Sequence, residues 1–280
     1  MRIAIVDYGM GNLRSVTSAL KYLGIEDIIL SDNECELSSA DKIILPGVGS
    51  FSSAMELIKS KKLDLIINNL AINKKKPVLG ICLGMQLLGL SSDEGGYTEG
   101  LGLVDGAVDS FNSNQVVVPH IGYNQVLVGK SNRLYNNMKD ILDFYFVHSF
   151  KMTSDTDIGQ NMCQYNENFI ASFEIDNIAG TQYHPELSQT NGLHVIKNFL
   201  ELFLMLRQRI IFTLIYDDGF FCQSRNFRLQ RVGDIKWLEN NYKFQKIAFS
   251  IDELIIVNAT RGKKNLSKFT KILDRLVDNV

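Results

Sequence analysis

The chain has 280 residues, of which 45% are hydrophobic, and its 29 basic and 31 acidic side chains leave a net charge of -2. This composition supplies a sizeable core and gives no electrostatic reason to expect nucleic acid or a membrane surface as a partner. No apolar run approaches the roughly 20 residues that a membrane-spanning helix needs, so neither kind of partner is predicted.

The cysteines and the first residues indicate the compartment. Cys35, Cys82, Cys163 and Cys222 are far apart and include no Cys-x-x-Cys pair, which predicts neither a zinc site nor a disulfide framework. Residues 1–6 are typical of a buried first strand and not of a cleaved leader. We therefore predict a reduced, cytoplasmic protein with no metal or other cofactor.

The first hundred residues alternate short apolar strands with amphipathic helices. This alternation predicts parallel crossovers and an open α/β sheet flanked by helices. A Gly-x-Gly at Gly9 and Gly11 follows the first strand, but a third glycine and a suitably placed acidic residue are missing, which argues against a dinucleotide site. Strands are expected at 3–6, 28–30, 42–45 and 78–81, with helices at 13–23, around 54–58 and at 63–72.

The sequence is organised around the turn that follows the strand at 78–81. Cys82 stands there between Gly80 and Gly84, and an apolar helical stretch follows. A thiol on a tight strand-to-helix turn is the geometry of a nucleophile elbow, where the helix N-terminus favours thiolate over thiol. The alternative is a buried structural cysteine; the Gly-x-Cys-x-Gly frame favours the nucleophile.

From about residue 101 the chain becomes rich in short β segments, which we expect to extend the same sheet as hairpins. An amphipathic helix from Leu193 to about Leu206 is expected to close the domain. The expected β segments are 101–104, 107–111, 115–118, 124–128, 144–147, 161–165, 170–173 and 178–182.

A thiolate nucleophile needs a base, and the base needs a group that orients it. Four histidines are available, and a lone histidine is more often structural than catalytic. His184 is preferred because it directly follows a predicted strand and because Glu186, two residues on, could hold its ring. Acyl transfer also needs N–H donors for an oxyanion; the Gly47-Val48-Gly49 turn, which lies between a parallel strand and a helix, could supply them or be an ordinary turn.

Residues 1–203 resemble the class I (triad) glutamine amidotransferases in PGVGSF at 46–51, GICLGMQ at 80–86 and YHPE at 183–186. Within that class they resemble the glutaminase subunit of imidazole glycerol phosphate synthase, in IVDYGMGNLRSV at 5–16, VPHIGYN at 118–124 and FYFVHSF at 144–150. The resemblance implies an open mixed sheet flanked by helices, and ammonia transfer to a (β/α)8-barrel cyclase-type subunit in histidine biosynthesis.

The same resemblance implies roles for individual residues. Cys82 would attack the side-chain amide of L-glutamine, His184 would protonate the departing ammonia and then activate water, and Glu186 would orient His184. The remaining positions match an oxyanion hole at Val48, Gly49 and the Leu83 N–H, glutamine-holding residues at Gln86 and Glu94, and surface positions facing the partner at His120, Tyr145 and His148.

Residues 204–280 are predicted to form a separate, incomplete cyclase-like β/α fragment. They resemble the first part of the cyclase subunit, with strands ending near Leu214 and at 254–257 and a last helix carrying Leu266, Phe269, Leu273 and Leu276. A whole barrel takes about 250 residues, so this segment cannot close one. Ile215 stands at the position of the first catalytic aspartate and Asn258 at that of the aspartate ending the second strand, and we therefore predict no cyclase activity.

Three other functions are compatible with parts of this pattern. The same glutaminase could feed ammonia to a surface amino-sugar pathway, since cyclase-like paralogues there resemble this chain in having a hydrophobic residue at position 215. A scaffold subunit with a vestigial site would not need Cys82, His184 and Glu186 together. A cysteine peptidase or γ-glutamyl hydrolase would not account for the stretches at 118–124 and 144–150.

Overall fold

The computed structural model describes residues 1–112, 117–129, 132–203, 211–225, 228–242, 253–261, 267 and 269–271. The chain divides into two compact units, residues 1–206 and residues 207–280. Among the helices in these ranges, none combines the length and the apolar character needed to cross a membrane.

The first unit is built on a nine-stranded mixed sheet. Its strands within the described ranges are β1 (Ile3–Val6), β2 (Ile28–Ser31), β3 (Lys42–Leu45), β4 (Val78–Ile81), β5 (Ser91–Ser92), β6 (Thr98–Glu99), β7 (Ala107–Ser110), β8 (His120–Leu127), β9 (Ile141–His148), β10 (Phe150–Thr153), β11 (Asn161–Tyr165), β12 (Glu167–Ile175) and β13 (Ile178–Thr181). The large sheet has the order β2-β1-β3-β4-β13-β12-β11-β8-β9, parallel from β2 to β13 and antiparallel from there on. A second sheet has the order β10-β7-β5-β6.

Helices cover both faces of the parallel half, as fully buried parallel strands require. The strands there are continuous apolar runs, and alternate side chains point to opposite faces: Ala4 and Val6 pack with the helices at 51–67, whereas Ile3 and Ile5 pack with those at 13–22 and 189–202. The helices are α1 (Leu13–Tyr22), α2 (Glu34–Ser39), α3 (Phe51–Ser60), α4 (Leu63–Asn68), α5 (Leu83–Leu87) and α6 (Gln189–Leu202), with a π-helical turn at Asn69–Asn73 and a 3-10 turn at Pro185–Leu187.

The expected open mixed α/β sheet flanked by helices is confirmed, but three details of the β-rich half are wrong. The segment 101–104 is not a strand, because its N–H groups bond to the carbonyls of Leu87, Leu88 and Gly89 at and just after the end of α5. Strand β7, expected to extend the large sheet, instead pairs in the second sheet with β10, a strand that was not predicted. Residues 115 and 116 of another expected segment lie outside the described residues, and residues 117 and 118 are not in a strand.

The second unit contains a four-stranded sheet in the order β16-β15-β14-β17. Its elements are β14 (Ile211–Asp217), β15 (Phe220–Arg225), β16 (Arg228–Gly233), α7 (Ile235–Tyr242) and β17 (Glu253–Asn258). Strands β14 and β17 pair in parallel, as the two expected β/α strands of a barrel would. The hairpin β15–β16 and helix α7 were not predicted.

Among the described residues of this unit, Leu214, Tyr216, Phe221 and Leu238 form a buried hydrophobic cluster. Of the expected last helix, Phe269 is described and helical, whereas Leu266, Leu273 and Leu276 lie outside the described residues. The resemblance of the unit to the start of a barrel stays a prediction.

Candidate active site

Cys82 occupies a strained turn between β4 and α5. Its backbone has φ 54° and ψ -110°, in the left-handed half of conformational space that side-chain-bearing residues rarely adopt. The two flanking glycines make this turn possible. A Cβ on Gly80 would lie 2.7 Å from the backbone of Met85, and one on Gly84 would overlap the carbonyl oxygen of Leu45. The predicted nucleophile elbow is therefore the local geometry of this chain.

His184 reaches the same edge of the sheet because β13 lies beside β4 and runs parallel to it, with Thr181 opposite Ile81. Two strands that run in parallel end at the same edge, so the residues after them converge. The His184 Nδ1 donates to Glu186 Oε1 over 2.8 Å, and both side chains are almost completely buried. In the described part of the chain, His184 Nε2 has no hydrogen-bond partner, which leaves it available to a reacting group.

The electrostatics of this pair favour a charged imidazole ring. Burial alone would lower the pKa of His184, but the neighbouring Cys82 and Glu186 outweigh it and raise that pKa to about 10. At neutral pH the ring is therefore an imidazolium, which is the natural counterion of a thiolate. The arrangement combines a nucleophile, a proton donor and a group that orients the donor.

The turn after β3 lies beside the elbow because β3 and β4 are neighbours. Gly49 has φ +110°. The Pro46–Gly47 peptide at the start of the same turn is held by Tyr8, whose buried hydroxyl donates to the Pro46 carbonyl over 2.9 Å. Burial, reinforced by the charge of Cys82, raises the pKa of Tyr8, so this hydroxyl keeps its proton. No local sequence pattern indicates this contact.

A cavity of about 370 Å³ opens over the thiol. The structure brings together in its lining all the expected nucleophile, oxyanion-hole and substrate-binding residues, together with the segment 147–150. These expected residues are Val48, Gly49, Cys82, Leu83, Gln86 and Glu94. A larger cavity of about 550 Å³, lined by Arg133 and Tyr135 among others, contains none of them. We assign the site by its chemistry and not by its size.

The two expected substrate-binding residues are already engaged in the free chain. Glu94 Oε2 accepts from the N–H of Phe51 over 2.8 Å. The buried Gln86 Nε2 donates to the Phe150 carbonyl over 3.0 Å and to Gln182 Oε1 over 2.9 Å. Gln182 is a residue that sequence reasoning missed, although it stands two residues before His184.

The prediction that His120 and His148 lie at the surface is wrong. They are 3% and 7% exposed, and their rings lie among the aromatic side chains of Phe146 and Phe169. The cause is the strand register: both rings point to the inner face of the sheet, where His120 pairs with His148. Only Tyr145 of the three predicted contact residues is partly exposed.

Comparisons with known proteins agree with this geometry. The profile of the glutamine amidotransferase class-I family matches residues 4–202. The chain is 43% identical over 202 residues to imidazole glycerol phosphate synthase subunit HisH 2 of Vibrio vulnificus, covering 72% of this chain and 94% of that protein. It is 41% identical over 200 residues to the HisH subunit of Aquifex aeolicus, covering 71% and 96%.

Solved structures show the same fold at low sequence identity. A glutamine amidotransferase crystal structure superposes with a TM-score of 0.58 at 16% identity, covering 72% of this chain and 98% of that one. The PurLQS structure from Thermotoga maritima has a TM-score of 0.55 at 22% identity, with the same coverage.

Proposed function

The chain belongs to the class I glutamine amidotransferase family, and from this premise we propose that it is a glutaminase subunit of an imidazole glycerol phosphate synthase. In this proposal it hydrolyses L-glutamine to L-glutamate and ammonia through Cys82, His184 and Glu186. The observation that carries the proposal is the convergence of these three residues at the ends of two adjacent parallel strands, beside the cavity of about 370 Å³.

The first half of the reaction uses the charged pair. The Cys82 thiolate forms a bond to the amide carbon of glutamine, and the carbonyl electrons move to oxygen. The N–H groups of Gly49 and Leu83 would stabilise that oxyanion. As the tetrahedral intermediate collapses, the C–N bond breaks and His184 Nε2 gives its proton to the leaving ammonia, which leaves a glutamyl thioester on Cys82.

The second half depends on a change in charge. The acylated sulfur is neutral, so it no longer raises the pKa of His184, and the ring becomes able to accept a proton. The neutral ring takes a proton from water as the oxygen attacks the thioester. Collapse of this second intermediate breaks the C–S bond and releases the product acid, which ionises to glutamate in water. The proton taken from the attacking water stays on His184 and the sulfur leaves as a thiolate, which restores the thiolate–imidazolium pair.

The partner is proposed to be a (β/α)8-barrel cyclase-type subunit, since the relatives are named as subunits of a synthase. The outer face of β8 and β9 would receive it. Ile121 lies opposite Val147, and Tyr123 lies opposite Tyr145. Ile121, Tyr123 and Val147 are 61%, 51% and 38% exposed, and Val147 also lines the cavity. An apolar face beside the cavity would seal the path of ammonia from water.

The second unit is proposed to lack cyclase chemistry of its own. Ile215 lies on β14, paired with Cys222 and Val257. We expect that Ile215→Asp in this chain still gives no imidazole product, because the other cyclase positions are not restored. Detection of that product by mass spectrometry would refute this expectation.

The experiment for the proposal measures glutamate released from glutamine by the chain and by Cys82→Ala, with and without a cyclase-type subunit and its nucleotide substrate. Activity that needs Cys82 and rises with partner and nucleotide is the expected result. Activity that needs Cys82 but ignores the nucleotide would favour the amino-sugar pathway. No glutamate under any condition would refute the glutaminase and leave the scaffold interpretation.

A further inference from the structure

The main-chain carbonyl of Phe150 accepts two side-chain hydrogen bonds in the wall of the cavity. His148 Nδ1 lies 2.7 Å from the oxygen, and Gln86 Nε2 lies 3.0 Å from it. A carbonyl oxygen can only accept, so both nitrogens facing it must carry hydrogen. This one acceptor therefore fixes the tautomer of His148 and the direction of the Gln86 amide.

The direction of Gln86 determines that of Gln182. The Gln86 amide nitrogen also donates to Gln182 Oε1, so the NH2 group of Gln182 must occupy the other side of its amide. That side faces the nucleophile, with Gln182 Nε2 3.8 Å from Cys82 Sγ. Gln182 is fully buried, so the hydrogen bond lies in a region of low dielectric constant.

A donor at this place matters because the sulfur also has an acceptor as a neighbour. The Val147 carbonyl oxygen also lies 3.8 Å from Cys82 Sγ. A carbonyl oxygen accepts from a thiol and repels a thiolate, whereas an N–H favours the thiolate. The N–H of Gln182 therefore opposes the effect of the Val147 carbonyl on the charge of the sulfur.

The other side of the network holds His148 in place. Burial lowers the pKa of His148 to about 3 and that of His120 to about 4, so each ring carries one proton at neutral pH. Because His148 has its proton on Nδ1, its Nε2 accepts from His120 Nδ1 over 3.0 Å. The remaining His120 Nε2 then faces the amide nitrogen of Asn124 at 3.5 Å.

We propose that Gln182 stabilises the Cys82 thiolate by donating to it, and that His148 and Gln86 are positioning residues that aim this donor through the Phe150 carbonyl. The proposal rests on the proposed function, in which the thiolate is the nucleophile. It also explains why His120 and His148 are buried without a catalytic contact. His120 donates to His148, and His148 donates to the Phe150 carbonyl, which orients the amides of Gln86 and Gln182.

The test measures the titration of the thiolate and needs no turnover. The rate of iodoacetamide alkylation of the Cys82 peptide is followed against pH by mass spectrometry, with the exposed Cys35 in the same chain as internal reference. Gln182→Met is close in shape and removes the donor without adding a charge, and we expect the midpoint to rise by about one pH unit or more. Gln164→Met, the same substitution at an exposed position of β11, should leave the midpoint unchanged.

A pair of variants tests the positioning role of His148. His148→Asn keeps a donor near the place of Nδ1 and should retain the wild-type midpoint, whereas His148→Leu removes the donor and should raise it. Nitrogen-15 NMR of the four histidines of the folded wild-type chain should show His120 and His148 neutral with the proton on Nδ1. Protons on Nε2 of these rings would overturn the proposal even if the variants fail to fold.

These outcomes separate the two proposals. Wild-type glutaminase activity with unchanged midpoints in Gln182→Met and His148→Leu would overturn the donor chain alone. The expected shifts, in a chain that releases no glutamate with any partner, would support the donor chain and refute the proposed function.

Discussion

Replacing Glu186 with glutamine tests whether the carboxylate keeps the His184 ring protonated. The substitution keeps the size of the side chain and removes the charge that lies 2.8 Å from His184 Nδ1. A hydrogen bond to a charged group contributes about 1.5–3 kcal/mol. Since one pKa unit corresponds to about 1.4 kcal/mol, we expect the pKa of His184 to fall by about one to two units.

The same loss should slow both halves of the reaction, because the ring must be charged when it delivers a proton and when it has taken one from water. A loss of this size corresponds to about a tenfold to hundredfold decrease in kcat/KM. The assay is steady-state glutamate release with the partner present, together with the nitrogen-15 titration of His184. Glu201→Gln, at an exposed ion pair on α6, is the matched control and should behave as wild type.

The reasoning fails if Glu186→Gln keeps the wild-type kcat/KM and leaves the His184 titration unchanged. Glu186 would then be a buried carboxylate that does not act on the ring. A lowered His184 titration midpoint with an unchanged kcat/KM would also refute the account, because the rate of glutamate release would then not depend on the proton affinity of the His184 ring.

Three further predictions concern stability and are measured by urea unfolding. Gly84→Ala should lower the free energy of unfolding by about 1–3 kcal/mol or prevent folding, since its Cβ would overlap the carbonyl oxygen at the end of β3. Gly129→Ala should be tolerated, and equal urea midpoints for the two variants would contradict this. Tyr135→Phe should cost about 1–2 kcal/mol, because its hydroxyl bonds to two buried hydroxyls at 2.7 Å, and an unchanged midpoint would count against it. Burial lowers the pKa of His120 and His148 in the folded state from the usual 6.5, so the unfolded chain binds more protons below that pH. The free energy of unfolding should therefore fall, by up to about 1.4 kcal/mol per pH unit for each ring, as the pH decreases from 6.5 toward about 4, and a flat profile would show that the rings are not buried neutral.

The sequence predicts the parallel half of the fold well because that half is specified locally. Its buried strands are short apolar runs, and β1, β3 and β4 each end in a glycine-containing turn. Cys82 and His184 each follow a predicted strand, and residues that follow parallel strands lie at the same edge of a sheet.

The sequence predicts the antiparallel half less well because several of its short strands pair with strands that are not their neighbours in the chain. No local sequence pattern indicates that β7 and β10 pair outside the large sheet. Nor does one indicate that the N–H groups of the segment 101–104 bond to carbonyls at the end of a helix. The burial of His120 and His148 is likewise a matter of register, and a shift of one residue would have turned both rings outward. The Gln86–Gln182 contact joins two segments 96 residues apart and is visible only in three dimensions.

The covalent state of Cys82 during turnover tests the central claim most directly. The chain, with its cyclase-type partner, is mixed with glutamine, quenched in acid within the first turnovers, and digested for mass spectrometry. The account predicts a glutamyl group in thioester linkage on the Cys82 peptide, absent in Cys82→Ala and enriched when Glu186→Gln slows its hydrolysis. Glutamate release with no such adduct at any time, or an adduct on another cysteine, would contradict it.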